Sequence, residues 1–183
     1  MIAGHFGLAA VVKSRAPQVP LWALMLGSVW LDVVFVPLLF AQVETIEPLA
    51  GTQGGYGDVV IHANYTHSVV GALALSALFG LVGWRWGRGA VLALSAVAFS
   101  HWVLDLPMHH HDLSWLPGQT GSLGLGLWSS PMLSMALELS LVAAGALLYW
   151  RAARRIAGKR STVPSLALLA SGLVTLGLNV AGI

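Results

Sequence analysis

The run Ala90-Val91-Leu92-Ala93-Leu94-Ser95-Ala96-Val97-Ala98-Phe99-Ser100-His101-Trp102-Val103-Leu104-Asp105-Leu106 decides the class of this protein. Its first ten residues carry no charge, and at about 1.5 Å per residue the segment 89–107 reaches across a hydrocarbon core of about 30 Å. His101 and Asp105 fall four residues apart, so on a helix both side chains leave one face. A hydrophobic span therefore presents a nitrogen and an oxygen ligand near one end. Ionisable groups in that position are expensive and need partners.

The rest of the chain has the same character, with 57% hydrophobic and only 9% charged residues, against about 25% charged in soluble domains. The expected fold is an all-α, polytopic transmembrane helix bundle, with residues 1–183 as a single domain. A net charge of +2 is too small to imply a nucleic-acid partner. There is no cysteine, which excludes disulfide frameworks, thiolate metal sites and cysteine nucleophiles and leaves His, Asp and Glu as metal ligands. Residues 1–6 lack a positive n-region, so no signal peptide is expected.

Spans follow from apolar length. Residues 2–12 are too short to cross and read as a half-span or re-entrant helix ending at Lys13 and Arg15, before Pro17 and Pro20. Full spans are expected at 21–40 (interrupted by Asp32 and Pro37), 65–84, 89–107 and 131–150, the last opening on Pro131. The connection 41–62, with its glycine cluster from Gly51 to Gly57, reads as turn chemistry. The connection 108–130 is a second polar loop, with Trp115 and Trp128 as interface anchors. A basic linker, 151–160, leads to the uncharged stretch 163–183, read as a last span that packs on the bundle or mediates assembly into a homo-oligomer.

Charge fixes the orientation. The basic residues are Lys13, Arg15, Arg85, Arg88, Arg151, Arg154, Arg155, Lys159 and Arg160, all in connections that alternation places on one side, which the positive-inside rule makes cytoplasmic. The acidic residues Asp32, Glu44, Glu47, Asp58, Asp105, Asp112 and Glu138 fall in the opposite loops or in the spans. Counted from the cytoplasmic markers, His5, Asp32 and His101 lie roughly 12, 18 and 20 Å deep at the helical rise, with His67, Asp105 and Glu138 further out. These groups share the outer half of the bilayer, where side chains of several helices can meet.

His5, Asp32, His67, His101 and Asp105 thus form a candidate metal set of three imidazoles and two carboxylates. His62 is a sixth candidate ligand or else a solvated loop residue, since a spacing of five from His67 suits one helix face poorly. His109, Asp112 and Glu138 are candidates for a catalytic base or an additional ligand. His109, His110 and His111 form a loop run of which at most one or two would coordinate. Imidazole with carboxylate suits zinc first, and manganese or iron where carboxylates dominate. Hydrolysis by metal-activated water is the chemistry such a site most readily supports.

At these residues the chain resembles the bacterial inner-membrane metal-dependent hydrolases described as LexA-binding, membrane-associated hydrolases. Their pattern of an N-terminal Gly-His, an Asp in the next span, a His-Arg-Gly-x-Thr-His-Ser motif and a later Ser-His-x-x-x-Asp is met by Gly4-His5, Asp32, His62 with Thr66-His67-Ser68, and Ser100-His101 with Asp105. Ala63-Asn64 stands where that motif has Arg-Gly, and a single Asp32 where relatives often carry paired aspartates. The chain is similar to a small branch that continues with His109, Asp112, Pro117-Gly118 and Gly124 through Trp128. The resemblance covers residues 1–150 and implies a hydrolase of the bacterial cytoplasmic membrane.

The functional expectation is a membrane-embedded, metal-dependent hydrolase acting on a lipid or amphiphilic ester or phosphoester, with its site open to the non-cytoplasmic side. The alternative is a small permease or metal-ion transporter that uses the same intramembrane His and Asp residues as a path. A haem-binding electron carrier and a purely structural polar core are further readings.

Overall fold

A computed structural model of the chain describes residues 1–51, 57–157 and 162–180. The described elements run α1 (Ile2–Arg15), α2 (Leu21–Ser28), α3 (Trp30–Phe40), β1 (Thr45–Pro48), β2 (Val59–His62), α4 (Val69–Gly80), α5 (Arg88–Met108), α6 (Pro131–Ala157) and α7 (Thr162–Val180). α4 continues as a tighter 3-10 segment, Leu81–Trp86. Parts of the glycine cluster (52–56), the basic linker (158–160) and the final stretch (181–183) lie outside the described residues.

Three helical stretches are long and apolar enough to cross a membrane: Val69–Trp86, Arg88–Met108 and Pro131–Arg155. This is a membrane protein by the composition of those helices, and their outward faces agree: Leu73, Leu78, Leu92, Val103, Leu133 and Leu147 are exposed, where lipid and not water is the fitting solvent. The expected span 21–40 is instead a bent pair, α2 and α3, meeting at 50°. Four crossings stand only if that pair counts as one.

Two further expectations are corrected. The connection 41–62 is not all turn: β1 and β2 pair antiparallel, Thr45 opposite His62 and Pro48 opposite Val59. The β-branched run Val59-Val60-Ile61 favours an extended chain, so the mostly helical bundle, all-α in its main lines as expected, carries in addition a small two-stranded sheet. The helix expected from 65 begins at Val69 because Ser68 caps it, its hydroxyl accepting from the Gly71 N–H at 3.0 Å.

Inside the bundle, Ala9, Val19, Leu24, Phe79, Leu94 and Val97 pack together where α1, α2, α4 and α5 meet. A second group, Leu31, Ala72, Trp102 and Leu113, lies between α3, α4, α5 and the loop after α5. α1 lies against α6 with their backbones nearly touching, since a Cβ built on Gly7 would sit 2.4 Å from the Leu141 carbonyl oxygen and one on Gly145 2.2 Å from that of Gly7. Small residues permit such close helix contacts in membranes. That contact sets the height at which α1 presents His5. α7 packs on α6 and α1.

Candidate metal centre

The site begins with a broken helix. At Val29 (φ −121°, ψ 17°) the helical path of α2 ends and α3 starts again at an angle. The break places Asp32 in the first turn of α3, where a helix N-terminus favours a carboxylate. It also turns the Ser28 carbonyl toward His101, whose Nδ1–H donates to it at 2.8 Å. Nε2 of His101 then carries the lone pair.

His67 is oriented in the same way by other groups. Thr66 Oγ1 donates to Glu44 Oε2 at 2.8 Å, so it accepts from His67 Nδ1–H, also at 2.8 Å. Glu44 is buried and takes two more hydrogen bonds, from the backbone N–H groups of Tyr65 (2.7 Å) and Thr66 (2.9 Å). Trp102 Nε1–H donates to the His67 carbonyl at 2.8 Å and fixes the start of α4 against α5. His109 repeats the pattern, its Nδ1–H donating to Asp112 Oδ1 at 3.0 Å, while Asp112 Oδ2 accepts from Ile61 N–H of β2 at 2.9 Å. Burial opposes the charged form of Asp112, but the bonds from His109 and from Ile61 outweigh it and hold the carboxyl below its ordinary range. His5 differs: its Nδ1 is buried without a hydrogen-bond partner, and its Nε2 lies 3.2 Å from Asp105 Oδ1.

With three Nδ1 atoms committed to oxygen acceptors, the Nε2 lone pairs turn inward on the carboxylates. His67 Nε2 and His101 Nε2 face each other at 3.2 Å. His101 Nε2 is 3.0 Å from Asp105 Oδ2 and 3.4 Å from Asp32 Oδ1. His67 Nε2 is 3.5 Å from Asp32 Oδ1 and 3.9 Å from Asp105 Oδ2. Two lone pairs and two carboxylate oxygens this close repel one another unless a proton or a cation lies among them. For ligand bonds of about 2.0–2.1 Å, a regular tetrahedron has edges of about 3.3 Å. Within the Asp32, His67 and His101 triad the ligand atoms stand 3.2, 3.4 and 3.5 Å apart, close to that value. The buried His and Asp groups can hold a metal ion, as His5 with His101 and Asp105 or as Asp32 with His67 and His101.

Of the residues singled out in the sequence, His5, Asp32, His67, His101 and Asp105 come together from α1, α3, the start of α4 and α5. His109 joins them, Nε2 at 3.9 Å from Asp105 Oδ2. His62 stands apart on β2, 3.6 Å from Glu47 in a largely exposed pair. Glu138 is buried on α6 outside the cavity wall, accepting from Gly4 N–H at 3.3 Å, where it holds the N-terminal turn of α1. His110 bonds the Gly57 carbonyl at 3.1 Å and ties the loop to the hairpin. Trp128 is not an interface anchor: it is 7% exposed and its ring lies 4.4 Å from that of His109.

Glu44, Thr66 and the Ser28 carbonyl were not foreseen. In the sequence Thr66 stands only beside His67 in a motif and Glu44 as one more acid outside the basic connections, and only a second shell sought around His67 would have picked out their role.

The cluster forms the floor of a cavity of about 610 Å³ whose walls are largely apolar: Phe35, Val36 and Leu39 of α3, Ile46, Val59 and Ile61 of the hairpin, and Trp128. Asp32, with 37% of its side chain exposed, is the most open of the carboxylates and imidazoles at that floor, while His101 and Asp105 are sealed. Comparison of the chain with protein-family models, with curated protein sequences and with solved structures gives no match.

Proposed function

We propose that the chain is a membrane-embedded, metal-dependent hydrolase that cleaves an ester or phosphoester of a lipid or other amphiphile. The observation that carries this reading is the convergence on His101 Nε2 of His67 Nε2 at 3.2 Å, Asp105 Oδ2 at 3.0 Å and Asp32 Oδ1 at 3.4 Å, with both imidazoles held by a hydrogen bond at the other nitrogen. Either triad, Asp32 with His67 and His101 or His5 with His101 and Asp105, would hold the ion and leave a fourth position for water, with His109 beside them. Zinc fits two imidazoles and one carboxylate best, with manganese or iron as the carboxylate-tolerant alternatives. A divalent cation there supplies Lewis acidity and makes water a nucleophile near neutral pH.

The chain's own groups supply the rest. His109 lines the cavity, and Asp112 holds its Nδ1–H so that Nε2 faces the reacting space. His109 is the general base that takes a proton from water and returns it to the leaving oxygen, and Asp112 steadies the imidazolium. The apolar walls receive an acyl or alkyl chain and exclude water, and the hairpin with Trp128 covers the polar floor. A purely ionic substrate gains nothing from such walls, which favours hydrolysis of an amphiphile over the carrier reading. With the bent α2–α3 pair as a fourth crossing and the basic connections cytoplasmic, the cavity opens on the outer side of a cytoplasmic membrane, in agreement with the resemblance to the bacterial membrane hydrolases.

The test is turnover in proteoliposomes. Chain loaded in turn with zinc, manganese or iron is expected to release product from a panel of lipid esters and phosphoesters. Activity should be lost on chelation, restored by one metal and absent in His109→Ala that still binds metal. Metal flux across sealed liposomes with no product from any lipid would contradict the proposal in favour of a carrier.

A further inference from the structure

A second cavity, of about 370 Å³, lies at the opposite end of the bundle between the last turns of α1 and α6. Its wall carries two cations, Lys13 and Arg155, and two hydroxyl groups, on Ser14 and Tyr149, against Pro17 and two alanines of α6. Among the described residues no carboxylate lines it. Lys13 Nζ donates to the carbonyls of Pro17 (2.8 Å) and Val19 (2.7 Å). These bonds pin the ammonium at the cavity and leave one of its three donors for a ligand. The depth of the cavity is marked by aromatic rings. Trp150 follows Tyr149 and has the Arg154 guanidinium over its ring at 4.8 Å. Exposed Trp22 and Trp84 stand at the same end, with Trp22 edge-on to Trp86 at 6.0 Å. Such a ring of tryptophans belongs at the headgroup level of a bilayer.

We propose that this cavity binds the phosphate group of an anionic phospholipid, with Lys13 and Arg155 as its cationic partners and the Tyr149 hydroxyl as a further donor. Two cations with no facing carboxylate match one phosphodiester. A zwitterionic headgroup brings an ammonium of its own into the same field and gains less. The alanines and Pro17 leave room beside the charges for the glycerol end of the lipid, whose tails follow the exposed apolar faces of the helices.

The experiment is native mass spectrometry of the detergent-purified full chain titrated with short-chain phosphatidylglycerol. Phosphatidylcholine of the same tails and inorganic phosphate form separate arms. Phosphatidylglycerol is expected to bind in preference to phosphatidylcholine, and inorganic phosphate at equal concentration is expected not to displace it. Lys13→Gln combined with Arg155→Gln should weaken binding roughly thirtyfold, and Arg155→Gln alone, on an exposed side chain, about fivefold. Arg154→Gln, outside the cavity, should leave it unchanged. Equal binding of the two lipids, displacement by inorganic phosphate, or wild-type binding in Arg155→Gln would each overturn the assignment.

Discussion

At one end of this bundle four imidazoles and two carboxylates crowd into one cluster, all buried but the half-buried Asp32, whereas at the other the cations Arg15, Arg85, Arg88, Arg151, Arg154 and Arg155 stand exposed and spread over several helix ends. The number of ionisable groups is similar, but the physics is not. Exposed cations at a headgroup surface keep their hydration and act together, through the summed field, on orientation and on anionic lipid. The buried groups have given up water, so each must be satisfied by a particular neighbour. The comparison teaches that the basic end, apart from the Lys13 and Arg155 cavity, tolerates substitution one residue at a time, while the polar end does not.

The largest effect that would break this contrast is expected from Asp105→Asn. Asp105 is buried and lies within 3.2 Å of both His5 Nε2 and His101 Nε2. Removing its charge should lower metal affinity by more than the tenfold to hundredfold that a supporting residue costs, measured by competition with a chelator. Arg151→Gln at the basic end should leave that affinity unchanged. Next comes Thr66→Val, which keeps the shape but removes the hydroxyl between Glu44 and His67. Metal affinity is expected to fall about tenfold to a hundredfold with the fold intact by circular dichroism. No change would mean that His67 needs no support at Nδ1.

A smaller, pH-dependent effect concerns Asp112. Its carboxyl is held below the ordinary value in the folded chain, so its contribution is present above the unfolded pKa of about 3.9 and is lost as the pH falls through the folded value. Acidification below that point should release the tie to Ile61, seen as faster hydrogen exchange of the Ile61 amide, whereas Asp112→Asn should abolish that pH dependence. The smallest effect is expected from His62→Ala. This exposed pair with Glu47 should change stability by less than about 0.5 kcal/mol and metal content not at all.

Much of the site was legible because the groups are so costly where they lie. His101 and Asp105 stand out by their i, i+4 spacing in an apolar span, and His5, Asp32 and His67 by interrupting apolar stretches near a common depth. What could not be read is backbone and tertiary. The break at Val29 has no proline or glycine at that position, yet it turns the Ser28 carbonyl toward His101 and starts a new helix beneath Asp32. The hairpin was hidden by its glycine cluster, although Val59-Val60-Ile61 beside a turn signal is a strand pattern in its own right. Trp128 and Glu44 show the same limit from the side-chain end. A tryptophan in a membrane loop reads as an anchor and an acid in a polar loop reads as solvated, and only packing reveals one against His109 and the other beneath Thr66.

The most direct test of the central claim is the metal content of the detergent-purified chain after exposure to zinc, manganese and iron and removal of excess ions. His101 Nε2 belongs to both triads of candidate ligands and has one lone pair to give, so wild type is expected to retain about one ion per chain. His62→Ala should retain the same amount, and His101→Ala none while eluting as a folded species. Wild-type protein that stays free of metal after all three exposures would contradict the account.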